Sequence, residues 1–213
     1  MTHGGKMLRV IGVTVGALVM SASLCAAQAV RLTEDRAEMR LQIGGASVVV
    51  ARTADADGFP VCPPSCLQPL QPAPGVVTLG ELELIGFLES QVATGRGVLI
   101  DARLPQDAAQ GVIPAAVNVP YVTLAPNNPY RDDILTALGA AVRADGSFDF
   151  AAAVQIAVYG GGPAEDAAPR AIRLLMNTGY PAEKLQYYRG GMQDWRLLGL
   201  TVVPLTDHKE GSG

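Results

Sequence analysis

From residue 76 onward the chain alternates short apolar runs with segments of helical period, and this alternation limits its possible folds more than any other feature. The runs are Val76-Val77-Thr78-Leu79, Gly97-Val98-Leu99-Ile100-Asp101, Val117-Asn118-Val119, and residues 154–159 and 185–188. Each is short enough for a strand. Residues 154–159 are apolar except for Gln155, the pattern of a strand covered on both faces. Between the runs, residues 80–91 carry Leu82, Ile85 and Leu88 at a spacing that predicts a helix with those three inward. Residues 131–142 repeat the pattern with Ile134, Leu135, Leu138 and Val142. Residues 168–177 carry Ile172, Leu175 and Met176, and residues 192–198 read as a last helix. Strands alternating with helices predict an α/β fold: a doubly wound, mainly parallel sheet with helices on both faces. With 49% hydrophobic and 17% charged residues in 213, there is material for one substantial core.

The segment before this domain has two parts. Lys6 and Arg9 precede an apolar stretch, residues 10–20, and small residues then lead to Ala27-Gln28-Ala29. That order is the one found in a secretory signal peptide, with cleavage after Ala29. The stretch is shorter than the ~20 residues that span a bilayer. A lipoprotein reading through Cys25 suffers from Leu24, where a small residue is wanted. Residues 30–75 follow: a small β element, with Met39, Leu41 and Ile43 alternating before a Gly44-Gly45 turn, and then a Pro-rich connector. The expected organisation is 1–29 signal peptide, 30–75 β element and connector, 76–206 main domain and 207–213 polar tail.

Cleavage would leave 14 basic against 20 acidic residues, a net of −6, and would remove His3 and Cys25. The remaining histidine, His208, lies in the tail. A globular part without histidine excludes Ser-His-Asp and Cys-His catalysis and argues against a zinc site. No metal or cofactor is expected. The acidic balance gives a nucleic-acid partner no electrostatic footing, and no stable membrane span is expected after cleavage. Cys62 and Cys66 remain, in Cys62-Pro63-Pro64-Ser65-Cys66. In an exported chain they suggest a structural disulfide closing a very small loop. A redox-active pair is the alternative.

Five segments in order resemble the rhodanese-like (sulfurtransferase homology) family. Val98-Leu99-Ile100-Asp101-Ala102-Arg103 is similar to its first strand motif, and residues 111–120 to the element leading to the next strand. Val158-Tyr159 runs into a loop where that family has its active site, and residues 170–179 match the following helix. Tyr188-Arg189-Gly190-Gly191-Met192-Gln193-Asp194-Trp195 is similar to the family's Gly-Gly-x-x-x-Trp signature. The resemblance covers about residues 76–203. It implies the doubly wound fold and sulfur transfer by a persulfide-carrying cysteine.

At that cysteine's place the sequence has Gly160, and Val112 stands where many relatives have histidine. Sulfur transfer needs a thiolate, and residues 160–170 contain none. The vestigial loop is Gly160, Gly161, Gly162, Ala164, Glu165 and Asp166. Its glycines suit a nest of backbone N–H groups through unusual φ values. Glu165 and Asp166 read either as a changed preference toward a cation or amine, or as helix capping with Asp166 as N-cap before Pro169. Ligand-binding candidates are Asp101, Arg103, Arg170 and Arg189. Asp101 also reads as structural, bonding loop backbone or pairing with Arg103, and Arg189 as a surface charge. Trp195 and Tyr188 read as core.

Two functions fit: a non-catalytic binding or structural module with a protein or small-molecule partner, or a sulfurtransferase or thiol-disulfide enzyme using Cys62 and Cys66. A phosphatase-like use fails on the missing cysteine. The expected location is the periplasm or outside the cell. N-terminal sequencing of periplasmic protein is expected to begin at Val30; an intact Met1 in a membrane fraction would contradict the signal-peptide reading.

Overall fold

The computed structural model describes Met1, residues 31–52, 61 and 62, and residues 64–205. The apolar segment 10–20, the cleavage site after Ala29 and the tail from Asp207 lie outside the described residues. A hairpin comes first, β1 (Glu38–Ile43) and β2 (Ala46–Ala51), antiparallel. Gly44 and Gly45 turn it at φ +58° and +83°, a tight-turn backbone that favours glycine at both positions. The register sets Met39, Leu41 and Ile43 opposite Val50, Val48 and Ala46, so one face is apolar.

The main domain then runs β3 (Val77–Leu79), α1 (Glu81–Phe87), β4 (Gly97–Asp101), α2 (Pro105–Ala108), β5 (Ala116–Asn118) and α3 (Arg131–Ala137). A minor hairpin, β6 (Ala141–Val142) and β7 (Phe148–Asp149), leads to β8 (Gln155–Tyr159), α4 (Ala167–Asn177), β9 (Leu185–Tyr188) and α5 (Gly191–Leu197). Five strands form one parallel sheet in the order β3-β9-β8-β4-β5. Alternation along β8 divides the core. Ile156 and Val158 pack with α3 and α4 residues such as Leu135, Ile172 and Leu175. Ala157 and Tyr159 pack on the other side with Leu84, Phe87, Met192 and Trp195. The α/β class, the doubly wound sheet and the small preceding β element are thus as the sequence implies.

Two helices differ from their sequence patterns. In α1 the Glu83 carboxylate accepts the Gly80 N–H, and the buried side chains are Leu84 and Phe87. Leu82, expected inward, is 79% exposed. It lies two positions from Leu84, about 200° around the helix. Ile85 and Leu88 are half-buried, and the chain continues past Phe87 as a π turn, Leu88–Val92. The second helix, α3, stops at Ala137 rather than near 142. Gly139 follows at φ +90°, where an added Cβ would meet the Ala152 carbonyl at 2.7 Å, and Val142 is an exposed member of β6.

This facing is testable. Leu84→Ala is expected to cost about 2–5 kcal/mol in denaturant unfolding, as for other emptied core positions. Leu82→Ala should stay within about 0.5 kcal/mol.

Candidate ligand-binding site

The carboxyl ends of β4 and β8 are neighbours in the sheet, with Asp101 opposite Tyr159. Asp101 is inaccessible to solvent and Arg103 is 6% exposed. The Asp101 carboxylate accepts the Arg103 backbone N–H at 3.0 Å, Arg103 Nε at 2.9 Å and the Tyr159 hydroxyl at 3.0 Å, and it also pairs with Arg103 Nη2. Arg103 further donates to the carbonyls of Asp107, at 3.0 Å, and Gly111, at 2.8 Å. Burial disfavours the Arg103 charge, but hydrogen bonding and attraction to Asp101 outweigh it and raise its pKa. Tyr159 is held protonated by burial and then by the neighbouring Asp101. Its oxygen in turn accepts the Ile113 N–H at 3.1 Å. Asp101 therefore both accepts a backbone N–H and pairs with the Arg103 side chain.

Directly after Tyr159 comes the loop of residues 160–166. Its carbonyls turn toward α5: Gly160 accepts the Met192 N–H at 3.1 Å and Gly161 the Gln193 N–H at 2.9 Å. One loop N–H and the first N–H of α4 turn toward a side chain of the loop itself. Glu165 Oε2 accepts from Gly161 N at 2.7 Å, and Oε1 from Ala167 N, the first residue of α4, at 2.9 Å. The nest is therefore built and is already occupied by the Glu165 side chain. Burial raises the Glu165 pKa, partly offset by those two N–H donors.

The glycines serve a different end from the one their sequence suggests. None of Gly160, Gly161 and Gly162 has a positive φ. What they supply is space. A Cβ on Gly160 would overlap Glu165 Oε2, and one on Gly162 would lie 2.7 Å from Gln193 Oε1. Asp166 sits at the N-cap position, yet its side chain makes no capping bond. It pairs with Arg170 at 2.6 Å, while Glu165 satisfies the first helical N–H.

Beside the loop is a cavity of about 340 Å³ lined by Gly161, Gly162, Ala164 and Glu165, with Arg103 below. Arg103 is the one ligand candidate that reaches it. Asp101 is consumed in the buried network. Arg170 lies over the Tyr121 ring, 5.4 Å from its centre, and lines a different cavity. Arg189 donates to the Gln68 carbonyl in the connector. The remaining lining, Asp107, Gln110, Met192, Gln193 and Arg196, was not singled out by the sequence. Met192 and Gln193 carried a signal, since both fall inside the Gly-Gly-x-x-x-Trp segment. Among the lining residues there is no Cys, Ser or His.

The loop geometry makes a quantitative demand on any restored thiol. Gly160→Cys should be destabilising alone because Glu165 Oε2 occupies the space for its Cβ. The cost should fall by at least ~1 kcal/mol in a Glu165→Ala background, a non-additivity typical of residues in contact. In the double variant, where the thiol meets loop N–H groups without the carboxylate, iodoacetamide alkylation should titrate below the free-cysteine value of ~8.5. Additive unfolding energies would show that Glu165 does not fill the nest.

Structural neighbours include a Rhodopseudomonas palustris protein of unknown function, described as a possible tyrosine phosphatase. It is 19% identical with a TM-score of 0.44, over 60% of this chain and 85% of that one. A Bacillus halodurans protein is 17% identical with a TM-score of 0.45, over 60% and 77%. A Pseudomonas aeruginosa thiosulfate sulfurtransferase is 21% identical with a TM-score of 0.40, over 61% of this chain but 20% of that chain. No curated protein sequence matches. The rhodanese-like domain model matches residues 86–198, more than half of the chain, and the protein therefore belongs to the rhodanese-like domain family.

Proposed function

We propose that this rhodanese-like domain acts as an exported, non-catalytic binding or structural module. The observation that carries the reading is the filled nest: Gly160 begins the loop where the family's cysteine is expected, and the Glu165 carboxylate occupies the N–H groups beside it. Sulfur transfer needs a thiolate that can attack and hold a sulfane sulfur, and glycine offers no such atom. A negative charge in the nest also opposes an anion such as thiosulfate. The same missing thiol argues against a phosphatase reading. A protein or small-molecule ligand would meet the cavity beside the loop, whose charged lining of Arg103, Arg196, Asp107 and Glu165 mixes both signs. Nucleic acid is disfavoured by the acidic balance. The charged, apolar and small-residue order of residues 6–29 supports a periplasmic or secreted location.

A second reading, a thiol-disulfide or sulfurtransferase enzyme using Cys62 and Cys66, draws support from one contact. The Gln68 N–H, two residues past Cys66, donates to the Pro163 carbonyl in the loop at 2.8 Å. Both cysteines are buried, however, which favours the first reading. The assay separating them is thiosulfate:cyanide sulfur transfer by the purified protein. No thiocyanate above background is expected. Cyanide-dependent thiocyanate release that disappears in Cys62→Ser or Cys66→Ser would replace the first reading with the second.

A further inference from the structure

The connector carrying Cys62 and Cys66 has no role in the binding-module reading, yet it is bonded into the loop. The two cysteines form a disulfide, and they are 1% and 4% exposed. Gln68 is then held in three directions. Its side-chain amide donates to the Cys66 carbonyl at 2.8 Å. Its backbone N–H donates to the Pro163 carbonyl at 2.8 Å. Its carbonyl accepts Arg189 Nε at 3.2 Å and Nη2 at 2.9 Å. One residue therefore joins the disulfide turn, the loop that holds Glu165 and the end of β9.

We propose that the Cys62–Cys66 disulfide is a redox-controlled latch on this loop: oxidised, it keeps Gln68 seated against Pro163; reduced, it lets the strap lift and the nest loosen. The proposal concerns regulation of the site described above and rests on the reading of that site as a binding module. A disulfide acts by removing conformations from the segment it closes. Here that segment ends two residues before the strap's contact with the loop.

The chemistry is a two-electron exchange with a dithiol. A reductant thiolate attacks one cysteine sulfur and the S–S bond breaks, giving a mixed disulfide. The reductant's second thiol displaces it, so that Cys62 and Cys66 end as thiols carrying two protons and the reductant leaves as its own disulfide. Both cysteines are buried, so attack requires the strap to rise. Strap release and reduction are then linked, and such linkage is reciprocal.

The test is amide hydrogen exchange by NMR on the purified protein, oxidised and reduced with dithiothreitol, with Arg189→Ala as an independent way to weaken the strap. On reduction, exchange at Gln68 and Gly161 should rise about tenfold while Val158 in β8 keeps its protection, and reoxidation should reverse the change. In oxidised Arg189→Ala, dithiothreitol should reduce the disulfide several-fold faster than in the parent protein. Unchanged exchange at Gln68 would overturn the latch. So would faster exchange at Gln68 with none at Gly161, or a parent-like reduction rate in Arg189→Ala. Loss of protection at Val158 would make the disulfide a global staple instead and overturn it as well. Thiocyanate formation by the reduced protein would count against the non-catalytic reading while leaving the exchange result to decide the latch.

Discussion

Asp101 carries its carboxylate to a place that water does not reach, and a lone charge there would cost several kcal/mol. Arg103, two residues later, supplies the opposite charge and most of the donors, and Tyr159 adds its hydroxyl. The arrangement holds because each partner is in turn used elsewhere. Arg103 reaches the carbonyls of Asp107 and Gly111, and Tyr159 takes the Ile113 N–H. Asn118 closes the group by donating to the carbonyls of Asp101 and Arg103, each at 3.0 Å. One buried charge thus forces β4, β5, β8 and the segment 103–113 into a single geometry at the carboxyl edge of the sheet, where ligands of open α/β folds bind.

Glu165 is a half-buried carboxylate, and its situation is different. Two backbone donors face it, and among the described residues no cation forms an ion pair with it. Its raised pKa means that the folded state holds the proton more readily than the unfolded chain does. The sign follows: Glu165 contributes most at acidic pH, and its contribution falls as pH rises through the folded pKa. The loop accepts that cost, and the N–H groups of Gly161 and Ala167 are satisfied without a ligand. A nest that depended on a bound anion would lose shape when empty; this one carries its own.

Strands were the legible part of the sequence because burial on both faces leaves runs such as residues 154–159 almost free of polar residues. The hairpin was equally plain, since Gly44-Gly45 marks a turn and period-2 alternation marks the strands. Helix facing was harder. Leu82, Leu84, Ile85, Phe87 and Leu88 offer more than one apolar stripe, and tertiary packing selected Leu84 and Phe87. In the loop the bond to the first helical N–H comes from Glu165, where the sequence reads Asp166 as the N-cap. Adjacent acids before a helix look alike in sequence, and the choice between them depends on which carboxylate the backbone turns inward. Arg189 was equally ambiguous, because its partner is a carbonyl 121 residues away. Most of the cavity lining comes from α5 and the segment after β4, which only the sheet order brings beside β8.

The Gly190-Gly191 pair, read from sequence as a family signature, has a local physical explanation that ties these elements together. Gly191 sits at φ +57°, and a Cβ there would collide with the Gly160 carbonyl and approach Gly162 N at 2.8 Å. Only at that distance can the first N–H groups of α5 reach the carbonyls of Gly160 and Gly161. Those bonds engage two of the loop's carbonyls, while the Gly161 N–H faces Glu165. The nest therefore depends on a helix thirty residues later as much as on the loop itself. With glycine at position 160, a carboxylate from within the loop fills the space where a Cβ would lie.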